Sequence, residues 1–142
     1  MPDPYRLKRF TDAQDTGLYS QALAELRQGR KLSHWIWFVF PQIAGLGSSP
    51  MAVEYAISDL DEARAYLAHP VLGPRLHEAA QALLSSGQTD PEAVLGFIDA
   101  MKVRSSMTLF HRASPEDSVF TAVLDAFYAG AEDGLTLSLL GA

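Results

Sequence analysis

Apolar side chains recur every three to four residues along most of the chain, and helix start and stop signals separate the runs. Leu18, Ala22 and Leu26 share one face of a segment that Asp15 or Thr16 can cap and Gly29 ends, which predicts a helix to Gln28. Ser49-Pro50 reads as an N-cap plus first-turn proline for a short helix through Ile57. Ser58 with Asp61 and Glu62 resembles a capping box, opening a helix that stops before His69-Pro70. Leu72, Leu76, Ala79, Ala80 and Leu83 give the next helix, Val71 to Leu84, with Gly87 beyond it. Asp90-Pro91-Glu92 and Ser114-Pro115-Glu116-Asp117 each combine a cap, a proline and first-turn acids, and the second run continues to Gly130. Phe97 to His111 holds no breaker, and Leu135 to Leu140 suggests a last turn or short helix.

The segment His34 to Phe40 is ambiguous, because its Trp, Ile, Phe and Val residues favour strands. No second convincing strand is available to pair with it, so it is expected to be helical. The fold expected is all-α: a compact single domain over residues 1–142, with seven to eight short helices around a central aromatic-rich helix. Repeats, linkers and low-complexity tracts are missing from the sequence.

A chain of 142 residues can bury on the order of two thirds of its unfolded surface, so it needs no disulfide or metal staple. It has no cysteine, which excludes a disulfide framework, a thiolate zinc site and a cysteine nucleophile. Eleven basic against 17 acidic side chains give a net charge of −6, and that balance speaks against nonspecific nucleic-acid binding. Leu32 to Val53 carries no Asp, Glu, Lys or Arg, but prolines and glycines interrupt it, so no membrane span is expected. The basic start leads into Thr11, Asp12, Gln14 and Asp15 rather than an apolar core, so a cytoplasmic location is expected. His34, His69, His77 and His111 are scattered, and neither a metal nor a cofactor is expected.

Two constellations could carry chemistry. The first runs from Ser33 to Gln42 and on through Gly45-Leu46-Gly47-Ser48-Ser49. It is either a core helix with satisfied polar ends or a pocket where His34 and Gln42 meet the rings of Trp35 and Trp37. Gly45, Gly47 and Ser48 would then let the backbone approach a ligand. The second is the segment Asp99 to His111. Its apolar residues surround the axis, as in a buried helix. Asp99, Lys102 and Ser106 form one polar stripe, and Arg104, Thr108 and His111 another roughly opposite. Asp99 and Lys102 at i, i+3 could be an ordinary helix ion pair. On the functional reading Asp99 is a general base for water, Lys102 stabilises developing negative charge, and Arg104, Ser105 and Thr108 contact ligand.

The strings Ser33-His34-Trp35-Ile36-Trp37-Phe38-Val39-Phe40-Pro41-Gln42, Gly45-Leu46-Gly47-Ser48, Tyr66 to Leu76 and Asp99 to Phe110 together resemble a bacterial family of unknown function. Genome annotation often labels that family "calpastatin". The resemblance covers nearly the whole chain in order and implies a single all-helical domain without an assigned activity. The calpastatin label does not suit a short, apolar chain without repeats. A more distant similarity is to helical NADAR-type hydrolases, which cleave N-glycosidic bonds in ADP-ribosylated or ribose-phosphate substrates. It rests on helical character and the Asp99/Lys102 stripe rather than on a motif string.

The leading expectation is therefore a small anionic, nucleotide- or ribose-phosphate-like ligand in a polar and aromatic pocket, with N-glycosidic hydrolysis as its enzymatic form. The alternative is a nonenzymatic adaptor whose helical groove takes a peptide or protein, with Asp99 and Lys102 facing solvent.

Overall fold

The computed structural model describes residues 2–141. It is all-α, as the periodicity predicts, with ten helices among these residues instead of seven or eight: α1 Lys8–Gln14, α2 Leu18–Gln28, α3 Ile36–Val39, α4 Pro50–Glu54, α5 Leu60–Ala68, α6 Leu72–Leu84, α7 Pro91–Leu95, α8 Phe97–Ala113, α9 Ser118–Tyr128 and α10 Gly134–Leu140. One helix that no sequence signal predicts, α1, has no periodic apolar stripe to announce it. It starts where the Asp3 carboxylate accepts from Leu7 N at 2.8 Å and Lys8 N at 3.0 Å, taking up otherwise orphaned donors.

Other boundaries move by one to three residues: α4 ends at Glu54 rather than Ile57, and Asp117 rather than Ser114 caps α9. Gly17, at φ 97°, turns the chain just before α2, so the start lies beyond the expected Asp15 or Thr16 cap. Asp59 rather than Ser58 caps α5, accepting from Glu62 N at 2.8 Å. The Glu62 carboxylate in turn accepts from Ser58 N at 2.9 Å and Ser58 Oγ at 2.8 Å, so the reciprocal pattern survives, shifted by one residue. The expected central aromatic helix is a single turn, α3. Phe40, at φ −124° and ψ 75°, has left the helical region because Pro41 follows it.

The central helix is α8, which packs against α9, α5, α7, α10 and α3. From Ser105 to Phe110 every residue is buried. Its first turns differ: Phe97, Ile98 and Met101 are exposed while Ala100 and Val103 are buried. The loop after α3 is fixed by a short parallel bridge between Ile43 and Ile57, with Ile57 N donating to Gln42 O and Ala44 N to Ile57 O, both at 2.8 Å. Among the described residues no helix is long and apolar enough to cross a membrane.

Candidate functional site

A cavity of about 370 Å³ opens where the loop after α3, the exposed first turns of α8 and the start of α10 meet. Gln42, Leu46 and Gly47 form one wall, Phe97, Ile98, Met101, Lys102 and Ser105 the floor, and Asp133 and Leu135 the far side. A mostly apolar lining with a few convergent polar groups is the usual character of a small-molecule site.

Lys102 is set by a chain of contacts that begins at Glu25. The buried Glu25 carboxylate accepts from Leu32 N at 2.7 Å, Ser33 N at 2.9 Å, Ser33 Oγ at 2.6 Å and Trp35 Nε1 at 2.9 Å. Burial pushes its pKa up, but the four donors outweigh burial and hold it down at about 2. This clasp shapes the loop after α2, and Lys31 N adds a bond to Val94 O at 2.7 Å. The Lys31 ammonium, its side chain only 7% exposed, lies over the Trp35 ring and bonds Asp99 Oδ2 at 2.8 Å. Asp99 Oδ1 stands 4.0 Å from Lys102 Nζ, which sits 5.2 Å from the centre of the Trp37 ring.

One carboxylate therefore sits between two ammonium groups, and the trio carries a net positive charge. Lys31 spends protons on Asp99 and on the Ser33 carbonyl. Lys102 donates no hydrogen bond among the described residues, although its side chain is only 22% exposed and lines the cavity. Such a cation is only partly hydrated and has open donor positions for a ligand.

The opposite wall is held by the second half of α8. Arg104 Nε donates to Ala131 O at 2.8 Å and its Nη2 to Glu132 O at 2.9 Å. Arg112 grips the Glu132 carboxylate with bonds of 2.9 and 2.8 Å, which hold that carboxyl below its ordinary pKa. Asp133 N donates to the buried Thr108 hydroxyl at 2.9 Å. Asp133 Oδ2 then caps α10, accepting from Thr136 N at 2.9 Å, Thr136 Oγ1 at 2.6 Å and Ser105 Oγ at 3.3 Å.

Of the residues singled out from sequence, the structure brings Gln42, Gly47, Lys102 and Ser105 to the cavity. Asp99 is not on its wall; its carboxylate is engaged by Lys31 behind Lys102. Trp35 is 0% exposed, with its indole N–H on Glu25, and has no free face for a ligand. Trp37 is half-buried against Lys102. His34 is exposed outside the cavity, and Gly45 and Ser48 are exposed in the loop without lining it. Arg104 and Thr108 are committed to the segment that carries Asp133. Gly47 is required by close packing, since a Cβ there would lie 2.7 Å from the Ala52 Cβ.

Sequence reasoning missed Leu46, Phe97, Ile98, Met101, Asp133, Leu135 and the contribution of Lys31. A signal was present in α8. At about 100° per residue, positions 97, 98, 101, 102 and 105 fall in one sector, and 100, 103, 106, 107 and 110 in the opposite one. Two apolar stripes on opposite sides look like an all-round buried helix, and only tertiary packing shows which stripe is covered.

Other hollows offer less. One of about 660 Å³ lies between the N-terminal segment and the α5–α6 junction. Its charged groups are already paired: Lys8 with Asp12, Arg75 with Asp15, and Asp3 with the first amides of α1. No three His, Asp or Glu side chains gather to hold a metal ion among the described residues.

The chain is similar over 99% of its length to 99% of the conserved hypothetical protein Rv1873 from Mycobacterium tuberculosis, known from a crystal structure, with 50% identity and a TM-score of 0.95. Comparison with curated protein sequences finds no match. Residues 4–140 match the family described as "Protein of unknown function (DUF1810)". The four strings that pointed to a family of unknown function all lie within that match, and the chain belongs to the DUF1810 family.

Proposed function

We propose that this protein binds a small molecule in the cavity between the 42–47 loop, α8 and α10, and that Lys102 receives an acidic or oxygen-rich group of the ligand. The observation that carries this reading is the Lys102 ammonium: mostly covered, on the cavity wall, and donating no hydrogen bond among the described residues. A buried or half-buried cation normally has its donors filled. Gln42 stands on the same wall, and its side-chain amide makes no hydrogen bond within the described residues, so it can orient the same group. The ligand's body lies against Leu46, Ile98, Met101 and Leu135.

On this reading Asp99 holds the two lysines apart and supplies their counter-charge, rather than acting as a base on water. Lys31 is already bonded to it, and Lys102 stands between it and the cavity. N-glycosidic hydrolysis therefore has no assigned general base in this proposal.

A second reading has one observation in its favour. Phe97, Ile98, Met101 and Leu135 are 57–67% exposed on the cavity wall. Clustered exposed apolar side chains also suit a protein partner.

The test is a thermal-shift screen of the full chain and Lys102→Met with ring-bearing carboxylates, nucleoside monophosphates, ribose 5-phosphate and short apolar peptides. At about 100 times its Kd a ligand adds about 2.7 kcal/mol of stability. A small-molecule shift that disappears in a folded Lys102→Met protein is the expected result. A shift unchanged by Lys102→Met, or shifts from peptides alone, would overturn the assignment.

A further inference from the structure

Asp133 is the one carboxylate among the residues lining the cavity. Its Oδ2 takes all three hydrogen bonds recorded for the side chain, from Thr136 N, Thr136 Oγ1 and Ser105 Oγ. Oδ1 accepts none among the described residues. The cavity therefore has two polar groups with open capacity and opposite charge: the Lys102 ammonium and Asp133 Oδ1. They do not form an ion pair with each other among the described residues, although Ser105, bonded to Asp133, lies just three residues after Lys102 on α8. Residues at that spacing are neighbours, with Cβ atoms about 5–6 Å apart.

Charge counting narrows the ligand. Lys31 and Lys102 supply two positive charges, and Asp99 and Asp133 two negative ones, so these four groups balance. A phosphate dianion would enter with a carboxylate on the wall and a single cation with open donors. Tight phosphate recognition ordinarily draws on several charge-assisted donors. A ligand that carries both charges itself, close together, meets each pole with its opposite and leaves no charge uncompensated.

An α-amino acid has that form. Backbone bond lengths put its ammonium nitrogen and carboxylate oxygens roughly 3 Å apart. A hydrogen bond of about 2.8 Å at each end then reaches Lys102 on α8 on one side and Asp133, at the start of α10 and bonded to Ser105, on the other. The rest of the wall, Leu46, Phe97, Ile98, Met101 and Leu135, is apolar and suits an apolar side chain.

We propose that the cavity takes a free apolar α-amino acid, its carboxylate on Lys102 and Gln42 and its ammonium on Asp133 Oδ1. This rests on the ligand-site reading above and adds the identity of the ligand class.

The test is isothermal titration of the full chain with L-phenylalanine, L-leucine and L-tryptophan, and with the two halves of phenylalanine: 3-phenylpropionate, which lacks the ammonium, and phenethylamine, which lacks the carboxylate. Lys102→Met and Asp133→Asn are titrated alongside. Asparagine preserves helix capping, so the second variant keeps the start of α10. At least one amino acid is expected to bind, with affinity at least about tenfold lower in either variant, and L-phenylalanine at least about tenfold tighter than either half, a factor worth about 1.4 kcal/mol. If 3-phenylpropionate binds as tightly as L-phenylalanine, the ammonium makes no contact and the amino-acid assignment falls, while the Lys102 site stands. Silence from all three amino acids alongside Lys102-dependent binding of another small molecule has the same meaning. If no small molecule binds in a Lys102-dependent way, both readings fall.

Discussion

Glu25 anchors the loop that carries Lys31, and its replacement by glutamine isolates what the charge contributes. The carboxylate ionises near its ordinary 4.5 in the unfolded chain, but four hydrogen bonds outweigh burial and hold it at about 2 in the fold. That gap corresponds to about 3 kcal/mol, at about 1.4 kcal/mol per pH unit. The sign follows from the order of protonation. Above pH 4.5 both states are ionised, and the full contribution is present. Below it the unfolded chain takes up the proton first, and the contribution shrinks until the folded carboxyl also protonates near pH 2. Glu25→Gln imitates the protonated form at every pH. It is therefore expected to cost about 3 kcal/mol at pH 7 and about half of that at pH 3. Urea unfolding followed by tryptophan fluorescence measures the difference at each pH, since Trp35 donates to this carboxylate. An equal cost at pH 7 and pH 3 would mean that the charge is not what holds the loop, and would refute the reasoning.

Three further predictions follow from the packing. Trp35→Ala empties a fully buried site and is expected to destabilise by roughly 3–5 kcal/mol in denaturant unfolding. Gly47→Ala drives a methyl to within 2.7 Å of the Ala52 Cβ and is expected to cost about 1–3 kcal/mol. In the background of Ala52→Gly that penalty shrinks, a coupling that a double-mutant cycle reads directly. Asp99→Asn removes the counter-charge of the buried Lys31 ammonium and is expected to cost roughly 1.5–3 kcal/mol. Adding Lys31→Met recovers part of that loss if the unpaired cation is its source, and thermal melts of the two proteins decide the point.

Helix existence was legible where caps and prolines mark the ends: Ser49-Pro50 and Asp90-Pro91 each start a helix as their chemistry requires, while after Ser114-Pro115 the cap is Asp117, read from sequence as a first-turn acid. What escaped was governed by contacts between distant segments. The aromatic run at Trp35 is ambiguous between strand and helix in the sequence and is expected to be helical only for want of a partner strand; Pro41 and the pull of Glu25 on Trp35 leave it one turn. The polar stripe Asp99–Lys102 was visible as spacing, but Lys31, 68 residues before Asp99, decides that Asp99 turns away from the cavity and Lys102 toward it. Arg104 and Thr108 looked like ligand contacts because polar residues on an apolar helix demand partners. Their partners are the main chain at Ala131, Glu132 and Asp133, which no local pattern could supply. Asp133 itself reads from sequence only as the residue before a short last helix. Its place on the cavity wall depends on α8 holding that segment.

The stability cost of this region is itself an argument for its use. Scattered exposed apolar residues are ordinary on a protein surface. Here Phe97, Ile98 and Met101 at the start of α8 meet Leu135 from α10 around a cation with open donors and a carboxylate with an unused oxygen. Each departs from what folding alone favours: apolar surface left in water, and polar groups half-covered without partners. Two nearby carboxylate positions are filled closely, with four donors on Glu25 and three on Asp133 Oδ2. The contrast lies within one molecule and partly within one side chain, since Asp133 Oδ2 is filled and Oδ1 is not. Folding requirements account for the filled positions, and on the proposed reading a ligand with an acidic end, a basic end and an apolar body would meet the open ones around the cavity.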